Sequence, residues 1–133
     1  MRVLALDYGS ARCGCAVSDP TGVLATPIDP VPSPRAKRGI ARLRALVGEL
    51  GVERVVVGLP LSLSGRDSAQ TVETREFAAH LERELPVPVE LYDERFTTLL
   101  AARAGGSASE DSRAAAHLLE SWLSAHVPTE PRA

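Results

Sequence analysis

Four acidic residues stand where acidic side chains are costly. Asp7 closes a short apolar run, Asp93 and Glu94 end another, and Asp111 opens a segment whose apolar residues recur at helical spacing. A carboxylate at the end of a buried strand loses its hydration unless something replaces it. At the carboxyl edge of an open α/β sheet, where ligands collect, these acids would converge. Converging carboxylates repel one another until a cation neutralises them. Oxygen donors alone suit Mg²⁺ or Mn²⁺, and the chain offers no His/Cys set of the kind zinc prefers. Two such ions about 4 Å apart activate a water and steady the leaving oxygen of a phosphodiester, which is nuclease chemistry. Taken singly, each acid also has a plainer role. Asp7 can accept hydrogen bonds in the turn Tyr8-Gly9-Ser10, and Asp93 can form an Asx turn. Glu94 can pair with Arg95 at the surface, and Asp111 is favoured by a helix dipole. Their joint placement is what points to a metal.

The elements that must position these acids can be read from periodicity and turn signals. Residues 2–7 form a buried strand, residues 13–18 a second and residues 23–28 a third, the last running into a proline-rich stretch at 27–34. Short turns between them make an antiparallel meander. The spacing of Ile40, Leu43, Val47 and Leu50 predicts a helix over 35–50, capped by Gly51. Val55-Val56-Val57 marks a strand at 53–58 covered on both faces. A loop at 61–66 leads into a helix reaching about residue 85, with Thr74, Phe77, Ala78, Leu81 and Leu85 on one side. A strand at 87–92 follows, flanked by Pro86 and Pro88, then a short helix at 96–103 broken by Gly105-Gly106-Ser107. The last helix, at 111–126, carries Ala115, Leu118, Leu119 and Trp122. Asp111 precedes Ala115 by four residues and Leu118 by seven, which puts it on the stripe facing the sheet. The order βββ-α-β-α-β-α predicts an α/β fold: a mixed five-stranded sheet, antiparallel β-meander then βα units, with helices on both faces. A single domain over 1–127 is expected, with 128–133 as a flexible C-terminal tail.

Composition narrows the function classes without choosing one. At 133 residues and 44% hydrophobic, the chain is long enough for one self-sufficient core. No apolar stretch approaches the roughly 20 residues that span a bilayer, and the N-terminus lacks signal-peptide organisation, so a cytoplasmic location without membrane contact is expected. Cys13 and Cys15 share one face of a strand and suit packing better than metal or redox chemistry. The net charge of −2 is not that of a strongly basic nucleic-acid binder. It conceals the run Arg35, Lys37, Arg38, Arg42 and Arg44, and 14 of the 15 basic residues are Arg, whose planar fork grips phosphate. That run reads equally as the solvated face of an amphipathic helix. His80, His117 and His126 lack ligand spacing.

With these residues on the page, the sequence resembles the YqgF/RuvX family. Leu4-Ala5-Leu6-Asp7-Tyr8-Gly9-Ser10, with the strand at 13–18 and Asp19-Pro20, is similar to the family's opening D-[YF]-G-T-x-x-x-G. Val56-Val57-Gly58-Leu59-Pro60-Leu61 through Gly65 resembles its VVGLPL…G block. Asp93-Glu94-Arg95-Phe96-Thr97-Thr98 resembles its D-E-R-[LF]-[ST]-T block. Asp111, Ala114, Ala115, Leu119, Glu120, Ser121 and Trp122 resemble its closing D-x-x-A-A…LESY segment. The four blocks fall in order across nearly the whole chain. Ser10 stands where the family has Thr, and residues 104–110 are shorter than the family's segment and lack its Lys-rich stretch, leaving Arg103 and Arg113 as the basic residues nearby.

The resemblance implies an RNase H-like fold and a divalent-metal-dependent nuclease that processes the 5′ end of pre-16S rRNA, related to Holliday-junction resolvases. It implies Asp7, Asp93, Glu94 and Asp111 as catalytic acids, with Asp7, Glu94 and Asp111 as the favoured ligands of Mg²⁺ or Mn²⁺. Alternation alone does not fix whether Asp93 or Glu94 faces Asp7. Arg95 would orient the carboxylates or contact phosphate, and Ser62, Ser64, Gly65 and Arg66 would offer amides and a guanidinium to one. Arg38, Arg42 and Arg113 are further candidates for the nucleic-acid backbone. The expected partner is RNA, structured DNA or both, bound by a monomer or homodimer. Two other classes stay open: a junction-resolving DNA endonuclease, and a non-catalytic nucleic-acid-binding module of the same fold. An actin-like ATPase also joins a strand, Asp and Gly, but it needs two related lobes and this chain supplies one.

Overall fold

The two most apolar strands lie side by side in the sheet, as continuous apolar runs should. In the computed structural model, which describes residues 1–96 and 110–126, β1 (Val3–Asp7) is flanked by β4 (Arg54–Leu59), parallel to it, and by β2 (Arg12–Ser18), antiparallel. β3 (Ala25–Pro32) pairs antiparallel with β2, and β5 (Val89–Asp93) pairs parallel with β4, giving the order β3-β2-β1-β4-β5. This is the mixed five-stranded sheet expected from the sequence. The parallel strands β1, β4 and β5 all point their carboxyl ends to one edge.

Alternation along the strands sorts the core into two layers. Leu4, Leu6, Val55 and Val57 face α1 (Lys37–Glu49) and α2 (Ala69–Glu84), meeting Leu43, Phe77 and Leu81. Val3, Ala5, Ala16 and Val56 face α3 (Glu110–Ala125), meeting Ala115, Leu119 and Trp122. Helices therefore cover both faces. Cys13 and Cys15 are fully buried in the α1/α2 layer, as two small packing side chains.

Several boundaries move, each for a physical reason. β3 does not stop at residue 28 but runs through Pro32. As an edge strand it tolerates prolines, because one row of its amides has no ladder partner to lose. Its ladder slips between Cys13 and Cys15, whose partners Val31 and Ile28 are three residues apart. Helix α1 starts at Lys37, after a turn in which Ser33 takes the left-handed conformation with φ 48. Helix α2 starts only at Ala69, where Ser68 accepts the Thr71 amide and the Thr71 hydroxyl answers the Ser68 amide. That reciprocal cap fixes the helix start. β5 continues one residue further, so that Asp93 is its last member and Glu94–Phe96 form a single 3₁₀ turn. The short helix expected at 96–103, its break at 105–107 and the C-terminal tail at 128–133 lie outside the described residues, the 3₁₀ turn apart. No helix among the described residues is long and apolar enough to cross a membrane.

Candidate active site

Two carboxyl groups with raised pKa values lie at the ends of β1 and β4. Asp7, the last residue of β1, is half-buried, and its pKa is pushed up to about 6 by burial first and by the charge of Asp111 second. Glu94 follows β5, and its pKa is pushed up to about 7 by burial, then by Asp7, then by Asp93. Gly58 makes the approach possible. A Cβ there would lie 2.6 Å from Glu94 Oε2, so the Glu94 carboxylate occupies the space a side chain on β4 would fill. Two partly desolvated carboxylates that each hold protons above the usual range form a site of uncompensated negative potential.

Asp111 reaches the same edge from α3, and the packing of that helix against β2 places it. A Cβ on Gly14 would stand 2.0 Å from the Asp111 carbonyl oxygen, so the first turn of α3 rests directly on the β2 backbone. Ser112 locks the contact: its hydroxyl donates to the Ile28 carbonyl and accepts from the Cys15 amide at 3.4 Å. It is Ser112 that is buried; the Asp111 side chain retains 45% exposure and pairs with Arg12, Nε to Oδ2 3.0 Å. Asp111 thus lies at the rim of the stripe expected to hold it. Among the described residues no group of three or more His, Cys, Asp or Glu side chains is assembled as a metal cage.

Asp93 and Glu94, adjacent in sequence, have opposite environments. The Arg95 guanidinium donates to both Asp93 oxygens, Nη2 to Oδ2 at 2.6 Å and Nε to Oδ1 at 3.0 Å, and the Arg95 amide adds a third bond at 2.9 Å. These bonds hold the Asp93 carboxyl below its usual range. Arg95 Nη1 also donates to the Leu63 carbonyl at 3.2 Å, tying the loop between β4 and α2 to the acid-bearing turn.

That loop is internally closed. The Ser62 amide donates to the Arg66 carbonyl and its carbonyl accepts the Gly65 amide, the Ser62 hydroxyl accepts the Arg66 amide at 3.0 Å and touches the Ser64 hydroxyl at 2.9 Å, and Gly65 supplies a left-handed residue at φ +85. A cavity of about 370 Å³ lies between this loop and the turn, lined by Pro60, Ser62, Glu94 and Arg95 among others. Of the basic run, Arg42 pairs with Glu49, Arg44 with Glu84, and Arg35 with Glu73 and Glu76, while Arg38 donates to the Ser33 hydroxyl. Much of its charge is matched within the domain. Arg113 stands in the first turn of α3, two residues beyond Asp111.

The profile of the family described as RuvX, Holliday junction resolvase, matches residues 1–125. The chain belongs to the RuvX family. A relative from Koribacter versatilis, provisionally named a pre-16S rRNA nuclease, is 46% identical over 102 residues, spanning 77% of this chain and 67% of its own. One from Mycolicibacterium paratuberculosis, with the same name, is 45% identical over 132 residues and covers 92% and 79%. Among solved structures, Thermus thermophilus RuvC superposes with a TM-score of 0.59 at 19% identity, covering 94% of this chain and 95% of that one. The same protein in complex with a Holliday junction substrate gives 0.58 at 20% identity, covering 97% of each chain. The architecture is that of RuvC, an RNase H-like fold.

Within this RuvX-family chain, three residues that shape the site, Gly14, Ser112 and Arg12, were not singled out by the sequence, and Gly58 was read only as part of the loop beside it. Gly14 and Gly58 each leave room for a neighbour at the acid edge, and the available signal was a glycine inside an apolar strand, which marks close approach. Ser112 is hidden behind Asp111 in a helix start. Arg12 is an isolated cation at the head of a strand, and no local pattern says that it faces an acid far along the chain.

Proposed function

We propose that this chain is a nuclease that hydrolyses phosphodiester bonds with the help of a divalent cation, Mg²⁺ or Mn²⁺, held by Asp7, Glu94 and Asp111. The observation that carries the reading is the pair Asp7 and Glu94, two partly buried carboxyls with raised pKa values at the carboxyl edge of the sheet, the charge of Asp7 contributing to the shift of Glu94. Their chemistry fits a hard cation: all donors are oxygens, and binding would relieve a repulsion the fold maintains. Such a cation, when bound, polarises the phosphodiester and lowers the pKa of a water. The remaining tasks fall to the chain. Gly58 lets Glu94 lie across the end of β4. Ser112 and Gly14 seat the helix that carries Asp111. Asp93 is already satisfied by Arg95, so its role in this reading is to brace rather than to ligate.

The substrate in this reading is pre-16S rRNA, the molecule in the names of the relatives at 43–46% identity, cut at its 5′ region in the cytoplasm as the sequence resemblance implies. The family's description favours a second reading, resolution of four-way DNA junctions, which would call for a two-fold dimer to cut symmetric strands. The test is cleavage of labelled single-stranded RNA, single-stranded DNA and a four-way junction in Mn²⁺, Mg²⁺ or EDTA, beside Asp7→Asn. Metal-dependent cleavage that the variant lacks is expected, and the preferred substrate chooses between the readings. Cleavage indifferent to metal and to Asp7→Asn overturns the site.

A further inference from the structure

Beside the acids lies a second, larger opening that shares Asp111 with them. A cleft of about 650 Å³ runs between the β1–β2 turn and the first turn of α2, lined by Ser10, Arg12, Gln70, Glu73 and Asp111 among others. Its volume is in the range of sites that enclose a small organic group such as a nucleotide. Among the described residues, Arg12 is the one cation in its lining. The acid Glu73 on the opposite wall is already engaged by Arg35 at 3.4 Å. The backbone of Arg12 is fixed, since it pairs with Pro32 and a Cβ on Gly9 would stand 2.7 Å from its carbonyl oxygen. Its side chain is not fixed: 61% exposed, it is held by the exposed Asp111 carboxylate. Ion pairs of this kind are weakly held and open readily.

We propose that Arg12 is the substrate-phosphate clamp of this site and that Asp111 stores it: in the free chain the guanidinium rests on Asp111, and on loading it turns into the cleft to grip a phosphate of the nucleic-acid strand next to the scissile bond. This rests on the nuclease reading above and deepens it. A guanidinium matches a phosphate in a bidentate way that a carboxylate partner rehearses. The same movement releases the Asp111 oxygens, which Arg12 otherwise holds at 3.0 Å, toward the acid edge that Asp7 shares. Arg12 therefore has two opposed effects: it aids substrate and competes with the metal for Asp111. A purely structural arginine would move both in the same direction.

The experiment uses the full chain with Arg12→Gln and Arg12→Lys. Binding of the labelled RNA or four-way junction is followed by anisotropy in EDTA over a range of salt, and Mn²⁺ binding is followed by calorimetry without nucleic acid. Arg12→Gln is expected to weaken nucleic-acid binding roughly tenfold and to lower the salt slope by about one. Mn²⁺ affinity should rise about two- to fivefold, the strength of an exposed ion pair. Arg12→Lys should recover most of the salt slope. In cleavage, Arg12→Gln should raise KM more than it lowers kcat. Nucleic-acid binding unchanged in Arg12→Gln, or Mn²⁺ affinity that falls together with it, overturns the clamp while the wild-type activity leaves the nuclease reading standing. Wild-type protein that neither binds nor cleaves nucleic acid overturns both.

Discussion

The two ends of the sheet solve the same problem in opposite ways. At the amino ends of the parallel strands, the polar groups of Arg2, Ser18, Arg54, Glu90 and Trp122 have partners. Glu90 accepts from Arg54 Nη1 at 2.7 Å and from Trp122 Nε1 at 2.9 Å, and Trp122 stacks on His126 with centroids 4.0 Å apart. Arg2 donates to the carbonyls of Ser18 and Leu50, both at 3.0 Å, and the Ser18 hydroxyl accepts the Val3 amide at 2.8 Å. At the carboxyl ends, Asp7 and Glu94 are partly buried beside other carboxylates, which push their pKa values up to about 6 and about 7. One end is closed for stability; the other keeps an electrostatic debt that a ligand can settle. The difference separates scaffold from site more sharply than burial or pocket size does.

The strongest way to break this contrast is to neutralise the strained end. Asp7→Asn or Glu94→Gln should lower cleavage on the order of 10²- to 10³-fold, as loss of a charge-stabilising group does, while raising the melting temperature of metal-free protein at pH 8. A fall in both activity and melting temperature would mean the acids are structural.

The next effect is the pH dependence of stability without metal. Unfolded, these carboxyls lose their protons near pH 4, whereas in the folded chain Asp7 keeps its proton to about 6 and Glu94 to about 7. The folded state therefore binds extra protons in between, and this contribution to stability falls as pH rises from about 4 to about 7, then levels off. It amounts to on the order of 3 kcal/mol for either acid and less than the sum for the pair, because they are coupled. Denaturant melts of wild type and Asp7→Asn across this range isolate the contribution, and their difference should be widest above pH 7. Saturating Mn²⁺ should narrow it.

At the satisfied end, Glu90→Ala should have the converse signature. Losing the carboxylate that serves Arg54 and Trp122 costs about 1–3 kcal/mol, discounted for the one-third exposure of the ion pair, and kcat per folded molecule should not change. The smallest effect is expected at Arg44→Gln, whose exposed partner Glu84 sits at the far end of α2. A change within about 0.5 kcal/mol and unaltered substrate affinity would identify the basic run as a solvated face. Gly58→Ala sharpens the contrast from within. Its Cβ meets the movable end of Glu94, so activity should drop with little loss of melting temperature.

What the sequence made legible was whatever depends on one segment at a time. Apolar runs marked β1 and β4 as buried strands, and acids at strand ends and a helix start placed the site at one edge. What it hid depends on two segments at once. That β3 extends through Pro32 follows from its position at the edge of the sheet, not from its own residues. The separation of Asp93 from Glu94 follows from Arg95 folding back while Gly58 opens space. The pairing of Arg12 with Asp111 exists only because Gly14 lets α3 rest on β2.

That last contact also orders events in time. The Cys15 amide meets the Ser112 hydroxyl across 97 positions of sequence, and ribosomes add roughly 5–20 residues each second. For several seconds after Asp7 is made, the chain that carries it has no α3 to dock. In the reading proposed above, the acid set would therefore stay incomplete until α3 has been made and has folded onto β2.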